Sequence, residues 1–163
     1  MREENMGKFN ILIAEKAEMA DVLRIKKEAH SLYVENRPDI YRDSDVMYTD
    51  DFIHGYFDHD DKMVLIAKSE EDEVAAYFLV QVIDVDLPMM KERRYIYIHD
   101  LAVLTRFRQN GIATEMLSYV ADYARKIGAT KIELAVHLFN TDALRLYEQN
   151  GFRPRAVRME RDV

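Results

Sequence analysis

The chain of 163 residues has no cysteine, few glycines and prolines, no long apolar run and no excess of positive charge. Without cysteine there is no disulfide, no thiolate metal site and no cysteine nucleophile, which suits a reducing compartment. Five glycines and three prolines are too few to build linkers. No segment approaches the apolar length of about 20 residues that a membrane helix needs. The start, Met1-Arg-Glu-Glu-Asn, is charged and lacks the apolar block of a secretory signal. Lys plus Arg number 23 against 30 for Asp plus Glu, a net charge of −7. That balance argues against general nucleic-acid binding, which needs many phosphate-neutralising cations. A cytosolic enzyme or binding domain without membrane attachment is the expectation, and an acidic surface is compatible with a cationic or amine partner.

Hydrophobic residues make up 48% and charged residues 33%, a globular composition of a size that one domain, residues 1–163, accounts for. Phe9 to Ala14 reads as a strand. Val22, Ile25, Ala29, Leu32 and Tyr33 recur at helical spacing and predict a helix from about Met19 to Val34. Asn36-Arg37-Pro38-Asp39 breaks it. A short helix is expected near Thr49 to Phe57. Met63 to Lys68 and Val74 to Val85 are apolar and β-branched and read as an antiparallel pair around the acidic turn Glu70 to Glu73. Tyr95 to Leu104 has few polar residues and is expected to be a strand buried on both faces. Ile112, Met116, Leu117, Val120, Ala124 and Ile127 form one stripe of a helix from Gly111 to Ile127, with Gly128 as its C-terminal cap. Lys131 to Val136 reads as a strand, Thr141 to Asn150 as a helix with Asn140 as N-cap, and Val157 to Arg161 as a last strand. The crossover between Tyr95–Leu104 and Lys131–Val136 makes those strands parallel. The fold class is therefore α/β, a mixed sheet with helices on both faces.

Arg108-Gln109-Asn110-Gly111-Ile112-Ala113 lies between a strand and a helix N-terminus. Unpaired N–H groups and the helix dipole favour an anion there. Gly111 lets the backbone approach a ligand, Ala113 is small, and Arg108, with Arg106, adds charge. The terminal Gly-Lys-Ser/Thr of a nucleotide P-loop is missing, as are the three spaced glycines of a dinucleotide site. A plain β–α turn with one glycine remains open on these six residues alone.

The run His99-Asp100-Leu101-Ala102-Val103 followed by Arg108-x-x-Gly111-x-Ala113 resembles the acetyl-CoA motif of the GNAT (GCN5-related) N-acetyltransferases. Asn140, Ala143, Tyr147, Gly151 and Phe152 match that family's second motif in order and spacing. Ala113 stands where many members have glycine, a variation the pattern allows. The element order is also similar, so the resemblance covers nearly the whole chain. It implies a mostly antiparallel sheet with one splayed parallel strand pair, and transfer of an acetyl group from acetyl-CoA, as cosubstrate, to a primary amine.

On that resemblance, residues Arg108, Gln109, Asn110, Gly111, Ile112 and Ala113 hold the CoA pyrophosphate, and Thr114 adds a hydroxyl. The backbone of Leu101, Ala102 and Val103 pairs with the pantetheine arm like an added strand. An N–H near Leu101 polarises the acetyl carbonyl. Asn140 and Ala143 face the CoA arm, and Tyr147 supplies a proton to the departing thiolate. His99 is the candidate base, its ordinary pKa of about 6.5 suiting proton uptake near neutrality. A water chain is the alternative, as is a His99 that is simply hydrogen-bonded within the fold. Tyr97 shares the His99 face by alternation. Asp100 points oppositely unless a bulge intervenes. His137 lies just past a strand end. His30, His54 and His59 show no metal-ligand spacing with carboxylates, so no metal is assigned.

The acceptor, a small molecule or a peptide or protein amine, is expected against Tyr33 to Tyr56. That segment holds Glu35, Asp39, Asp43, Asp45, Asp50 and Asp51 beside Tyr33, Tyr41 and Tyr48, a set that suits a cation or an acidic solvated loop. Family members often dimerise, so a homodimer is part of the same expectation. Two other readings stand beside the enzyme: an inactive acyl-CoA-binding sensor or scaffold of the same fold, and an unrelated phosphate-binding α/β domain.

Overall fold

The computed structural model describes residues 9–163, so the charged start at Met1 to Asn5 lies outside the described residues. Among the described residues, five strands form one sheet in the order β1-β2-β3-β4-β5: β1 Phe9–Ile13, β2 Lys62–Ser69, β3 Val74–Val85, β4 Arg93–Val103 and β5 Lys131–Leu134. The first four are antiparallel neighbours, and β5 runs parallel to β4. The helices are α1 Met19–Asn36, α2 Asp50–Asp58, α3 Ile112–Lys126 and α4 Thr141–Gln149, with single 3-10 turns at Lys16–Glu18 and Thr105–Phe107.

The sheet divides the core in two. Phe78, Val80, Ile96 and Ile98 pack against Met116 and Val120 of α3 and Tyr147 of α4. Tyr77, Leu79, Val64 and Ile66 pack on the other face against Val22 and Ile25 of α1 and Ile53 and Tyr56 of α2. β2 and β3 serve both layers, which is why Met63 to Ala67 and Val74 to Val80 are unbroken apolar runs. Each such Leu, Ile or Phe contributes about 1.5–3 kcal/mol on full burial.

Local chemistry sets the element ends. Thr49 caps α2 by accepting from the Phe52 N–H at 3.3 Å. The acidic turn between β2 and β3 closes with Ser69 N–H donating to the Glu73 carbonyl and Asp72 in the left-handed region. Gly128, at φ +73°, ends α3 as expected. Gly151, at φ +82°, ends α4 and lets the Phe152 N–H reach the Tyr147 carbonyl at 3.0 Å. That closure sets the Phe152 ring 5.7 Å from the Tyr147 ring.

Several expectations change. No strand forms at Val157 to Arg161, and Val157 and Met159 are 81% and 87% exposed. Its alternating pattern suits a strand, but no neighbouring strand pairs with it. β4 is not buried on both faces: Ile96, Ile98 and Ala102 are buried, whereas Tyr97 and Asp100 are half-buried and His99 is exposed. β5 stops at Leu134, two residues short of Val136, and Gly111 is the N-cap of α3 rather than its first residue. α1 runs on to Asn36.

Candidate active site

Two irregularities of β4 build the site. The first is a bulge. Leu79 of β3 faces Asp100 and Val80 faces Ile98, leaving His99 as the extra residue. Beyond it the side-chain alternation is reset. The Tyr97 and His99 rings lie toward α2, with His99 6.2 Å from the Tyr56 ring. Asp100 and Ala102 then lie on that same face, among Tyr77, Tyr48 and Lys26.

The second is a divergence. β4 and β5 pair from Tyr95 and Lys131 to Ile98 and Leu134, and no further. Leu101, Ala102 and Val103 are therefore paired with β3 but not with β5. This splayed edge is the one the resemblance implied. Two of its groups have partners within the chain. The Leu101 N–H donates to Asp100 Oδ1 at 2.9 Å, and the Val103 carbonyl accepts from Arg108 Nε at 3.1 Å.

Asp100 gathers four donors. Its Oδ2 takes Lys26 Nζ at 2.8 Å, the Tyr77 hydroxyl at 2.9 Å and the Tyr48 hydroxyl, and its Oδ1 takes the Leu101 N–H. Burial, and then the Asp100 charge, push the phenols of Tyr48 and Tyr77 well above the ordinary tyrosine value. Neither was a sequence candidate for catalysis, and nothing in their spacing connects them to Asp100.

His99 Nε2 lies 2.8 Å from Gln81 Oε1. Burial, followed by the Lys62 ammonium, lowers its pKa, against a smaller upward pull from Asp100. Tyr147 is buried in α4, and burial, then Tyr33 and Asp100, raise its phenol above the ordinary value. Its hydroxyl has no hydrogen-bond partner among the described residues.

At the start of α3, Gly111 is left-handed at φ +79°, and a Cβ built there meets nothing within 4 Å. The first helical bond runs from the Glu115 N–H to the Gly111 carbonyl, so the N–H groups of Ile112, Ala113 and Thr114 have no partner within the helix. Gln109 is also left-handed, and Asn110 Nδ2 donates to the carbonyls of Phe107 and Arg108 at 3.0 Å each, fixing the loop. Arg108 is exposed at its edge. Arg106 is instead paired with Glu73. Thr114 Oγ1 accepts from Asn150 Nδ2 at 3.3 Å, and Asn140 Oδ1 caps α4 through the Ala143 N–H at 3.2 Å.

On the acceptor side, Tyr33 and Tyr41 do converge, joined by His30, His137 and Phe139 in one cluster of ring contacts. The Tyr41 hydroxyl and His137 Nε2 are 2.9 Å apart, which ties the loop after α1 to the loop after β5. The carboxylates of that segment go elsewhere. Asp39 pairs with Arg37, Asp45 with Lys27, and Asp50 and Asp51 lie exposed in the first turn of α2.

The sequence model of the Acetyltransferase (GNAT) family matches residues 25–152. GCN5-related N-acetyltransferase 6, chloroplastic, of Arabidopsis thaliana is 38% identical over 60 residues, which are 37% of this chain and 21% of that protein. The chain thus matches about a fifth of that relative's length. An uncharacterised N-acetyltransferase, YhfO, of Bacillus subtilis is 29% identical over 109 residues, 67% of this chain and 70% of that one. Among solved structures, a tetramutant of the BH1408 protein from Bacillus halodurans superposes with a TM-score of 0.90 at 26% identity, covering 94% of this chain and 99% of that one.

Proposed function

The chain belongs to the GNAT acetyltransferase family, and on that premise we propose that it is an enzyme, one domain over residues 1–163, that transfers an acetyl group from acetyl-CoA to a primary amine within a ternary complex. The observation that carries this reading is the pairing of the splayed edge at Leu101 to Val103 with an open, left-handed Gly111 at the start of α3. One offers backbone groups to an extended amide-bearing arm, and the other offers N–H groups and open space to a pyrophosphate.

Bound acetyl-CoA supplies the thioester whose acetyl group is transferred. The N–H groups of Ile112, Ala113 and Thr114, with Arg108 beside them, fit the pyrophosphate. Leu101 offers an N–H to the acetyl carbonyl, which must share it with or take it from Asp100 Oδ1. Removing one donor of this kind typically costs about 2.7–4 kcal/mol. His99, its pKa lowered, is more fully neutral near pH 7 than an ordinary histidine and so able to accept a proton, directly or through water.

Tyr147 holds its proton throughout the working range because burial raises its phenol. A thiol ionises near about 8.5 and an ordinary phenol near about 10, so full transfer to the thiolate is uphill. Tyr147 therefore donates a hydrogen bond to the departing sulfur and serves as its general acid as thiolate charge develops. The amine partner lies toward Tyr33, Tyr41 and His137. The lack of cysteine fits a cytoplasmic setting.

One observation favours the inactive acyl-CoA-binding alternative: the Leu101 N–H is already held by Asp100. Calorimetric titration with acetyl-CoA, with ATP as control, tests the shared premise. Saturable binding of acetyl-CoA alone supports it, and absence of binding to folded protein defeats it. Thiol release with a panel of amines then separates the enzyme from the binding module.

A further inference from the structure

Lys26 reaches into this site beside Asp100. Its side chain is 16% exposed, whereas those of Lys16 and Lys27 are 58% and 49% exposed at the surface. Nζ lies 2.8 Å from Asp100 Oδ2, 5.4 Å from the centre of the Tyr33 ring and 5.7 Å from that of Tyr48. A carboxylate with flanking aromatic rings is how a protein holds an ammonium. Here the ammonium comes from the chain itself.

The position is also chemically pointed. The two oxygens of the Asp100 carboxylate bind Lys26 Nζ and the Leu101 N–H, so one group bridges the amine and the amide proposed for the acetyl carbonyl. Tyr147, proposed as donor to the leaving sulfur, feels the charge of the same carboxylate. The Lys26 side chain is a primary amine on a flexible four-carbon stem, the functional group that the proposed reaction acylates.

We infer that Lys26 Nζ is an internal acceptor, acetylated by the acetyl-CoA bound to its own chain. This rests on the acetyl-transfer reading above. The ammonium first gives one proton to solvent. The neutral nitrogen attacks the thioester carbonyl carbon, the C–N bond forms and the C–S bond breaks. The nitrogen loses its second proton to His99 or water. The sulfur leaves as thiolate and takes up a proton, so that one ammonium and one acetyl-CoA give one acetamide, one free CoA thiol and one proton. The product is neutral. It cannot form an ion pair with Asp100, so acetylation leaves that carboxylate's charge for an external ammonium.

The test is mass spectrometry of the whole folded protein incubated with isotopically labelled acetyl-CoA, with the label mapped by peptide. The expected result is one labelled acetyl group per chain, on Lys26, with one thiol released per label. The rate constant should not change with protein concentration, since donor and acceptor belong to one chain. Lys26→Arg should lose the label while keeping a cation on Asp100. Tyr147→Phe should slow labelling at least tenfold. Label spread over exposed lysines with Lys26 unmodified overturns the inference. Equal Lys26 labelling in urea-unfolded protein, which marks mere chemical acetylation, does so too. Calorimetric binding and turnover of an external amine without Lys26 labelling defeats this inference alone, whereas no acetyl-CoA binding defeats the acetyltransferase reading with it.

Discussion

His99 and Asp100 are consecutive on β4, yet both face α1 and α2. Strand alternation puts neighbours on opposite faces, and the bulge at His99 cancels it. A candidate base and a carboxylate thereby share one side of the sheet, with the Lys62 charge acting on the histidine and Lys26 in contact with the aspartate.

That arrangement sets a pH dependence. Burial and Lys62 lower the His99 pKa and Asp100 raises it less, so the imidazole loses its proton below the ordinary value of about 6.5. The acid limb of kcat/KM should fall below that value. Lys62→Met should move it up and Asp100→Asn should move it down, each followed alongside by NMR titration of the His99 ring. A limb that ignores both substitutions assigns the base to water. The stability sign follows from the same shift: the fold prefers neutral His99, so its contribution is present above the ordinary histidine value and is lost as pH falls through the lowered one.

Tyr147→Phe removes one oxygen and leaves the ring on Phe152. Turnover with an amine should drop about 10²-fold or more, the usual range for a lost proton donor, while acetyl-CoA affinity stays nearly unchanged. Steady-state kinetics paired with calorimetry check this. Intact turnover would hand the role to another donor.

Gly111 separates backbone strain from charge. Gly111→Ala places a Cβ in open space at a left-handed φ, costing about 1–2 kcal/mol of stability. Gly111→Asp adds to similar strain a negative charge where the pyrophosphate is proposed, so acetyl-CoA binding should weaken far more than for the alanine variant. Equal affinities for the two variants, measured by calorimetry, would remove the anion site.

Asp100→Asn weakens three side-chain contacts at once, those from Lys26, Tyr48 and Tyr77. A hydrogen bond to a charged group contributes about 1.5–3 kcal/mol, and the half-open site places the loss toward the lower end. The double change Asp100→Asn with Lys26→Met should recover part of that loss, because no unpaired ammonium remains. Urea unfolding of the four proteins measures the coupling, and strict additivity would mean that the pair contributes nothing.

The sequence made some of this legible and hid the rest for physical reasons. The α3 stripe, the β2–β3 hairpin and the caps at Asn140 and Gly128 are local, and each appears where periodicity and capping put it. The bulge is a property of two strands in register, so the β4 sequence could raise it only as a condition on Asp100. The partners of Asp100 lie 74, 52 and 23 positions away, at Lys26, Tyr48 and Tyr77, and no spacing rule links them. Acidic residues near Tyr33 were visible, but not the Arg37 and Lys27 that neutralise Asp39 and Asp45. Val157 to Arg161 shows the opposite error: alternation is a permit for a strand, and pairing needs a neighbour.

β5 has a consequence for the life of the protein in a crowded solution. It is the outermost strand on its side, and an uncovered strand edge is a template on which foreign chains polymerise. This one is four residues long, begins with an exposed lysine and carries Glu133, which binds Arg93 at 2.7 Å and Arg155 at 2.6 Å. A stray strand approaching it would meet fixed charges and run out of backbone partners within a few residues. The sheet can therefore part β4 from β5 without offering this edge as a seed for aggregation.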